Sequence, residues 1–316
     1  MRKKIILSFF CLGFISLHLP YAQDTCKCDY IADGYYQMVY EAEIACLEGN
    51  DSLAYKKLQE AEQTCPLLNQ ALSREMDLFG NLLMKNKKFA KAIYYMEKLA
   101  TEYGAMPYYT LSALNDSVLR NYLFLQYPTF NDSILPVIRQ KCNDFYTPER
   151  KQLIAALTDI VNADQAVRED LENKINQSDF IAYRNKMKET DSINTKRFFE
   201  IVEKYGFPNV KLYGFQNSPQ LSVSALLMHN HNNFNLEKMI LQAVRERECS
   251  PFVFGSFIDK GVLVARNKKS LYGTWANAQE DDEIIDVLHI DERRIAIGMP
   301  TRAMEKRRME LINKDE

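Results

Sequence analysis

Residues 34–104, GYYQMVYEAEIACLEGNDSLAYKKLQEAEQTCPLLNQALSREMDLFGNLLMKNKKFAKAIYYMEKLATEYG, read as two copies of one helical hairpin. The first copy sets Met38, Ala42 and Ala45 on one helix, breaks at Gly49-Asn50-Asp51, and resumes with Ala54, Leu58 and Ala61 before Pro66. The second sets Met76, Gly80 and Leu83, breaks at Lys85-Asn86-Lys87-Lys88, and resumes with Ala92, Met96 and Leu99. The two align with an offset of 38 residues. Apolar or small residues three and four apart share a helix face, so each copy predicts two antiparallel helices in close contact.

Small residues at these spacings and a closing proline resemble the tetratricopeptide repeat, which implies stacked helical hairpins presenting a binding surface. Each hairpin buries its apolar face on a neighbour, and two are few for a solenoid. Residues 117–126 are expected as a third unit or cap, and an ordinary helical bundle without a groove is the plainer alternative. Asp51-Ser52, Asn115-Asp116 and Asn131-Asp132 each precede helical pattern, as N-caps do. Pro107, Pro128 and Pro136 interrupt the chain, and Thr147-Pro148-Glu149 opens a new helix. The expected organisation is therefore a helical-repeat-like domain over 23–147 and an α-rich domain over 148–316.

Upstream, Arg2, Lys3 and Lys4 precede an uncharged apolar run from Ile5 to Leu17, then Pro20-Tyr21-Ala22-Gln23. This is the pattern of a secretory signal peptide over 1–22, cut after Ala22. It predicts export to the periplasm or the extracellular side of the cell envelope. Cleavage takes the formal charge from −2 to −5, which argues against a nucleic-acid binder driven by phosphate contacts. No later segment is long and apolar enough to span a bilayer as a helix. Hydrophobic residues make up 47 % of the chain, enough for packed cores rather than disorder.

Six cysteines follow the leader: Cys26, Cys28, Cys46, Cys65, Cys142 and Cys249. An even set in an oxidising compartment reads first as disulfides, with free buried thiols and metal or redox chemistry as alternatives. A helix of about 14 residues is roughly 20 Å long, which puts Cys46 and Cys65 at opposite ends of the first hairpin and out of bonding range. Cys26 and Cys28 lie at the Cys65 end and are its candidate partners.

The second half changes pattern. Asp164-Gln165-Ala166-Val167-Arg168 places an acid and a base four apart on one helix face. Asp191-Ser192-Ile193-Asn194 precedes an amphipathic stretch with Phe198, Ile201 and Val202 that stops at Tyr205-Gly206-Phe207-Pro208. Val223 to Met228 is apolar and closes on His229. Residues 252–272, rich in Val, Phe and Ile around Asp259-Lys260-Gly261, read as a small β-hairpin leading to Leu271-Tyr272-Gly273-Thr274. The fold class expected is thus mainly α with this one hairpin.

This order of Asp164, Gln165 and Arg168, then Asp191 and Asn194, then Gly206-Phe207-Pro208, His229, Asp259 and Tyr272-Gly273-Thr274 resembles a bacterial family filed as domain of unknown function 6624. The resemblance covers about half the chain. The chain departs from the family at Met228, Lys260 and Trp275, where the family tends to carry glutamine, arginine and glutamine. The resemblance brings no activity with it.

No Walker A loop, G-x-S-x-G elbow or H-E-x-x-H is present, and no cofactor motif stands out. His229 and His231 alone do not make a metal site. His229 is a candidate general base oriented by Asp259 or Asp164, and Asp191 is a further candidate catalytic residue. Gln165, Arg168, Asn194, Tyr272 and Thr274 are candidate binding residues. A buried structural network, and a non-catalytic ligand pocket, are the competing readings of the same side chains. The expected function is a protein–protein interaction or scaffolding module of the cell envelope, with an unknown protein partner. The alternative is an exported hydrolase using the Asp/His cluster.

Overall fold

The computed structural model describes residues 28–70, 74–173, 177–215, 223–231, 233–266, 269–275 and 284–314. The leader and Cys26 lie outside them. The described chain is mainly helical, without a β-strand; one isolated parallel bridge joins Ser270 to Ile284.

Helices α1 (Tyr35–Leu47) and α2 (Asp51–Thr64) pack side by side, with Ala42 and Ala45 of one and Ala54, Leu58 and Ala61 of the other buried. Gly49 turns the chain at φ 75°, a backbone that costs glycine nothing. Asn50, one residue before the expected Asp51, caps α2 by accepting from the Leu53 amide at 3.1 Å. Helices α3 (Glu75–Lys85) and α4 (Phe89–Tyr103) form the second pair. Gly80 is small for a different neighbour from the one its repeat position suggests. A Cβ there would stand 2.2 Å from the Thr110 hydroxyl of α5 (Tyr108–Ser112). Buried Asp77 holds α5 in that place by accepting from the Tyr109 and Thr110 amides and the Thr110 hydroxyl. Asp116 caps α6 (Ser117–Gln126) through the Val118 and Leu119 amides. Asn131 and Asp132 cap nothing; they lie in a π-helical turn, Phe130–Ile134, whose Phe130 is buried, and α7 (Leu135–Asp144) follows directly.

One apolar core runs from Tyr30 to Cys142 and a second from Leu153 to Met299, with Ile31 and Val210 packed against both. The second is built on the long antiparallel pair α8 (Pro148–Asn173) and α9 (Gln177–Tyr205). Around it stand the short α10 (Val210–Tyr213), α11 (Val223–His229) and α12 (Phe234–Arg245). Then come α13 (Pro251–Arg266), α14 (Ile290–Ile295) and α15 (Arg302–Ile312). The last helix returns to the first: Arg308 pairs with Glu43 and Arg307 with Glu48, each at 2.8 Å, and the Gln37 amide donates to the Met299 carbonyl.

The β-hairpin expected over 252–272 is not there: Pro251–Arg266 is helix. Pro251 takes the first helical position, where its missing N–H costs nothing, and Ser250 accepts weakly from the Phe252 amide at 3.4 Å. Phe254, Phe257 and Asp259 are buried while Lys260 is not. Aromatic and β-branched composition suggested strand, but β-propensity is largely a preference for half-buried surface, which a core helix also supplies.

Candidate functional site

Helices α8, α9 and α11 meet at Asp164, whose carboxylate is withdrawn from solvent. Nearly all of its acceptor capacity is used by side chains. Arg168, one turn later, donates to Asp164 Oδ1 at 2.7 Å and to the Asp164 carbonyl at 2.9 Å. Its second terminal nitrogen reaches Asp191 Oδ1 on α9 at 2.8 Å, so one guanidinium forks between two carboxylates. Gln165 donates to Asp164 Oδ2 at 2.8 Å. His229, the last residue of α11, sets Nδ1 at 3.0 and 2.8 Å from the two oxygens.

Sequence reading missed two residues that complete this corner. The Thr195 hydroxyl lies 2.7 Å from both the Asp191 carbonyl and the Asn230 side-chain oxygen, tying α9 to the turn after His229. Thr195 stands four residues after Asp191, the one spacing that points to it. Asn194 is buried, and its amide donates to the Ile160 carbonyl at 3.3 Å, locking α9 against α8 one turn before Asp164. It fixes the helices rather than reaching the carboxylates.

A carboxylate can only accept, so in this contact His229 Nδ1 is the donor. The ring is 26 % exposed, whereas Asp164 is at 1 %, so a buried anion orients a base that solvent can reach. Arg168 and Asp191 are about one-fifth exposed. His231 differs: Nδ1 faces the Met228 carbonyl at 2.9 Å, and its buried Nε2 has no partner. No group of three or more metal-ligating side chains forms among the described residues.

Asp259 belongs to a different structure. Its carboxylate, fully buried on α13, accepts from the amides of Leu271, Tyr272 and Thr274 and from the hydroxyls of Ser270 and Thr274, at 2.6 to 2.9 Å. Five donors saturate it and wrap residues 270–274 around it. Of the two acids expected to orient His229, Asp164 is the one beside it and Asp259 is not, and Tyr272 and Thr274 serve the loop, not the histidine. Burial pushes the Tyr272 phenol up, with Asp259 adding to the effect. Wholly buried Arg294 braces the loop through the Tyr272 carbonyl and pairs with Glu305. Lys260 stands 4.5 Å above the Trp275 ring, and the Trp275 indole N–H donates to the Ser256 carbonyl.

No disulfide forms among the described residues, so Cys28 and Cys65 are not bonded; the alternative partner, Cys26, lies outside them. Burial, and then the neighbouring Cys28, push the Cys65 thiol up. Cys46 has other surroundings, Asp51, Lys85 and Glu43.

No protein-family model, no curated protein and no solved structure matches the chain.

Proposed function

We propose that the protein is an exported interaction module of the cell envelope whose N-terminal helical pairs, tetratricopeptide-like in their small-residue spacing, present a surface to a protein partner. The observation that carries this reading is the outer face of α6. Val118, Tyr122 and Leu125 follow one another at helical spacing and are 62 %, 43 % and 78 % exposed, while Leu119 and Leu123 on the opposite face are buried. Tyr108 and Tyr109 of α5 are exposed nearby in the chain. A helix face that meets water is ordinarily polar, so an apolar stripe on the outer face of α6 favours a partner. Affinity capture from envelope extract, run with the wild type and with a Tyr122→Asp/Leu125→Asp double variant, tests it. A protein held by the wild type and lost from the variant is expected; identical captures, or none, overturn the reading.

A second reading, an exported hydrolase, rests on the exposed His229 ring held by buried Asp164. In that role His229 Nε2 takes a proton from a nucleophile or water, and Asp164 holds the ring and offsets the charge it gains. Arg168 and Asp191 keep Asp164 in place. Turnover of chromogenic ester, phosphate or glycoside substrates that disappears in a normally folded His229→Ala variant supports it, and wild-type inactivity across all three classes counts against it.

The export reading adds an expectation at Cys65. In an oxidising compartment its partner is Cys26 or Cys28, and Cys28 already neighbours the Cys65 thiol. Non-reducing peptide mapping of the protein from its native host is expected to find Cys65 linked to one of these two, and a Cys46–Cys65 link would overturn the pairing.

A further inference from the structure

The two halves border a half-open cleft of about 450 Å³ between the turn after α2, the middle of α4, α10 and the turn after α12. That is within the range of small-molecule sites. Leu67, Leu68 and Leu212 give it apolar wall, Tyr30 and Tyr205 give it aromatic surface, and five charged side chains line it.

The charges are unusual in what they lack. Arg247 adopts φ 68°, at the helix-ending position where glycine is the ordinary residue. A side chain there costs backbone energy, and this one lies 4.8 Å from the Tyr30 ring centroid, within cation–π range. It makes no ion pair with a carboxylate among the described residues, although Glu246 and Glu248 flank it in the chain. Glu248 has the opposite deficit. Burial, and then the nearby Glu246, push its carboxyl up, as happens to an acid without a cation beside it. On the far helices Lys98 and Lys211 share one carboxylate, Glu102, at 3.9 and 3.7 Å, which leaves a positive charge over.

One half-open cleft thus brings an exposed guanidinium without a carboxylate partner, and two lysines sharing one carboxylate, together with a partly buried carboxylate. We propose that it binds a zwitterion, a free amino acid or short peptide. The ligand's carboxylate meets Arg247, Lys98 and Lys211, its ammonium meets Glu248, and its side chain lies against Tyr205 and Leu212. Charge-assisted bonds of this kind are the strong ones, and a group already held in place on Tyr30 loses little freedom on binding.

The probe is the dipeptide alanyl-phenylalanine, titrated calorimetrically into the full chain beside its N-acetylated and C-amidated forms. Saturable binding of one equivalent is expected, weakened about tenfold by either block. Arg247→Gly removes the guanidinium while giving the turn the residue it favours, so the variant should keep the fold. In it, and in Lys211→Ala as a second carboxylate-side variant, affinity should fall, and C-amidation should matter less while N-acetylation still does. Glu248→Gln should show the reverse. No saturable binding at 10 mM dipeptide, on the order of the weakest useful affinity, or blocked forms that bind as well as the free one, would overturn the proposal.

Discussion

Asp164 and Asp259 are both fully buried carboxylates on helices of the second core, and they are satisfied in opposite ways. Asp259 takes three of its five donors from backbone amides, all from one five-residue loop. Asp164 takes every one of its donors from side chains, and these come from α8 and α11. Backbone donors make a carboxylate a template for a chain path, and without it the loop has nowhere to put its N–H groups. Side-chain donors can rotate away, and those of Asp164 lead outward to a partly exposed imidazole and guanidinium. Asp77 repeats the Asp259 arrangement in the first core, where no chemistry is proposed: two backbone amides and a hydroxyl, all from α5. The contrast separates carboxylates that shape the chain from one that holds a site.

The largest effect should fall on the loop. Asp259→Ala leaves three amides and two hydroxyls without their acceptor in a buried place, and it should cost about 4 kcal/mol or more, an exceptional loss for one substitution. Urea denaturation measures it, and a loss under about 1 kcal/mol would erase the distinction drawn here. Asp77 should follow at about 2–3 kcal/mol for Asp77→Ala, with fewer donors stranded. Its carboxyl carries a further signature, because burial raises its pKa above the ordinary 3.8 despite the donors around it. The ionised form is thus the costly one in the fold. Stability from Asp77 is fully present below the unfolded value and is lost as pH rises through the raised one. Relative to Asp77→Asn, the wild type should gain stability as pH falls through that interval, and a flat difference would contradict the burial argument.

His229→Ala should cost less, about 1–3 kcal/mol, since it removes one of several donors from the Asp164 carboxylate, and that donor's ring is already reached by water. Thermal denaturation beside the turnover and capture assays divides the roles. A well-folded variant that has lost turnover marks a working site. A destabilised variant whose other properties are intact makes His229 one more strut, like the donors of Asp259.

Much of this geometry was legible in the chain and some was not, for identifiable reasons. Helix pairing in the first half follows from Ala42, Ala54 and Ala61, because small residues at helical spacing mark close approach. The Asp164–Arg168 pair follows from its four-residue spacing, and His229 stood out by closing an apolar helix. Asp259 was legible as a buried acid but not as a loop template, since a carboxylate bonded to backbone amides leaves no residue-type signature at its partners. The same blindness made α13 a hairpin: Phe254, Phe257 and Val253 fit a strand as well as a core helix until the neighbours are known. Gly80 was read as room for α4, and it is room for Thr110.

The smallest effect is the most discriminating. Arg168 bonds Asp164 and Asp191 with two arms of one planar group, and lysine, a point charge, cannot fork in this way. If the corner were a structural staple, the Arg168–Asp191 contact should act like a buried bond and couple strongly. Both side chains are about one-fifth exposed, however, so solvent screens the pair, and its coupling should be modest. A double-mutant cycle with Arg168→Lys and Asp191→Asn is therefore expected to give about 0.5–1 kcal/mol of stability coupling. The same two changes should disturb His229 more than they disturb folding, because Arg168 supplies one of the bonds that set the Asp164 carboxylate. In the hydrolase reading, turnover should fall in Arg168→Lys while the melting temperature moves by only a few degrees. A coupling above about 3 kcal/mol, the range of a broken buried pair, would place Asp191, Arg168 and Asp164 with Asp259 as parts of the frame.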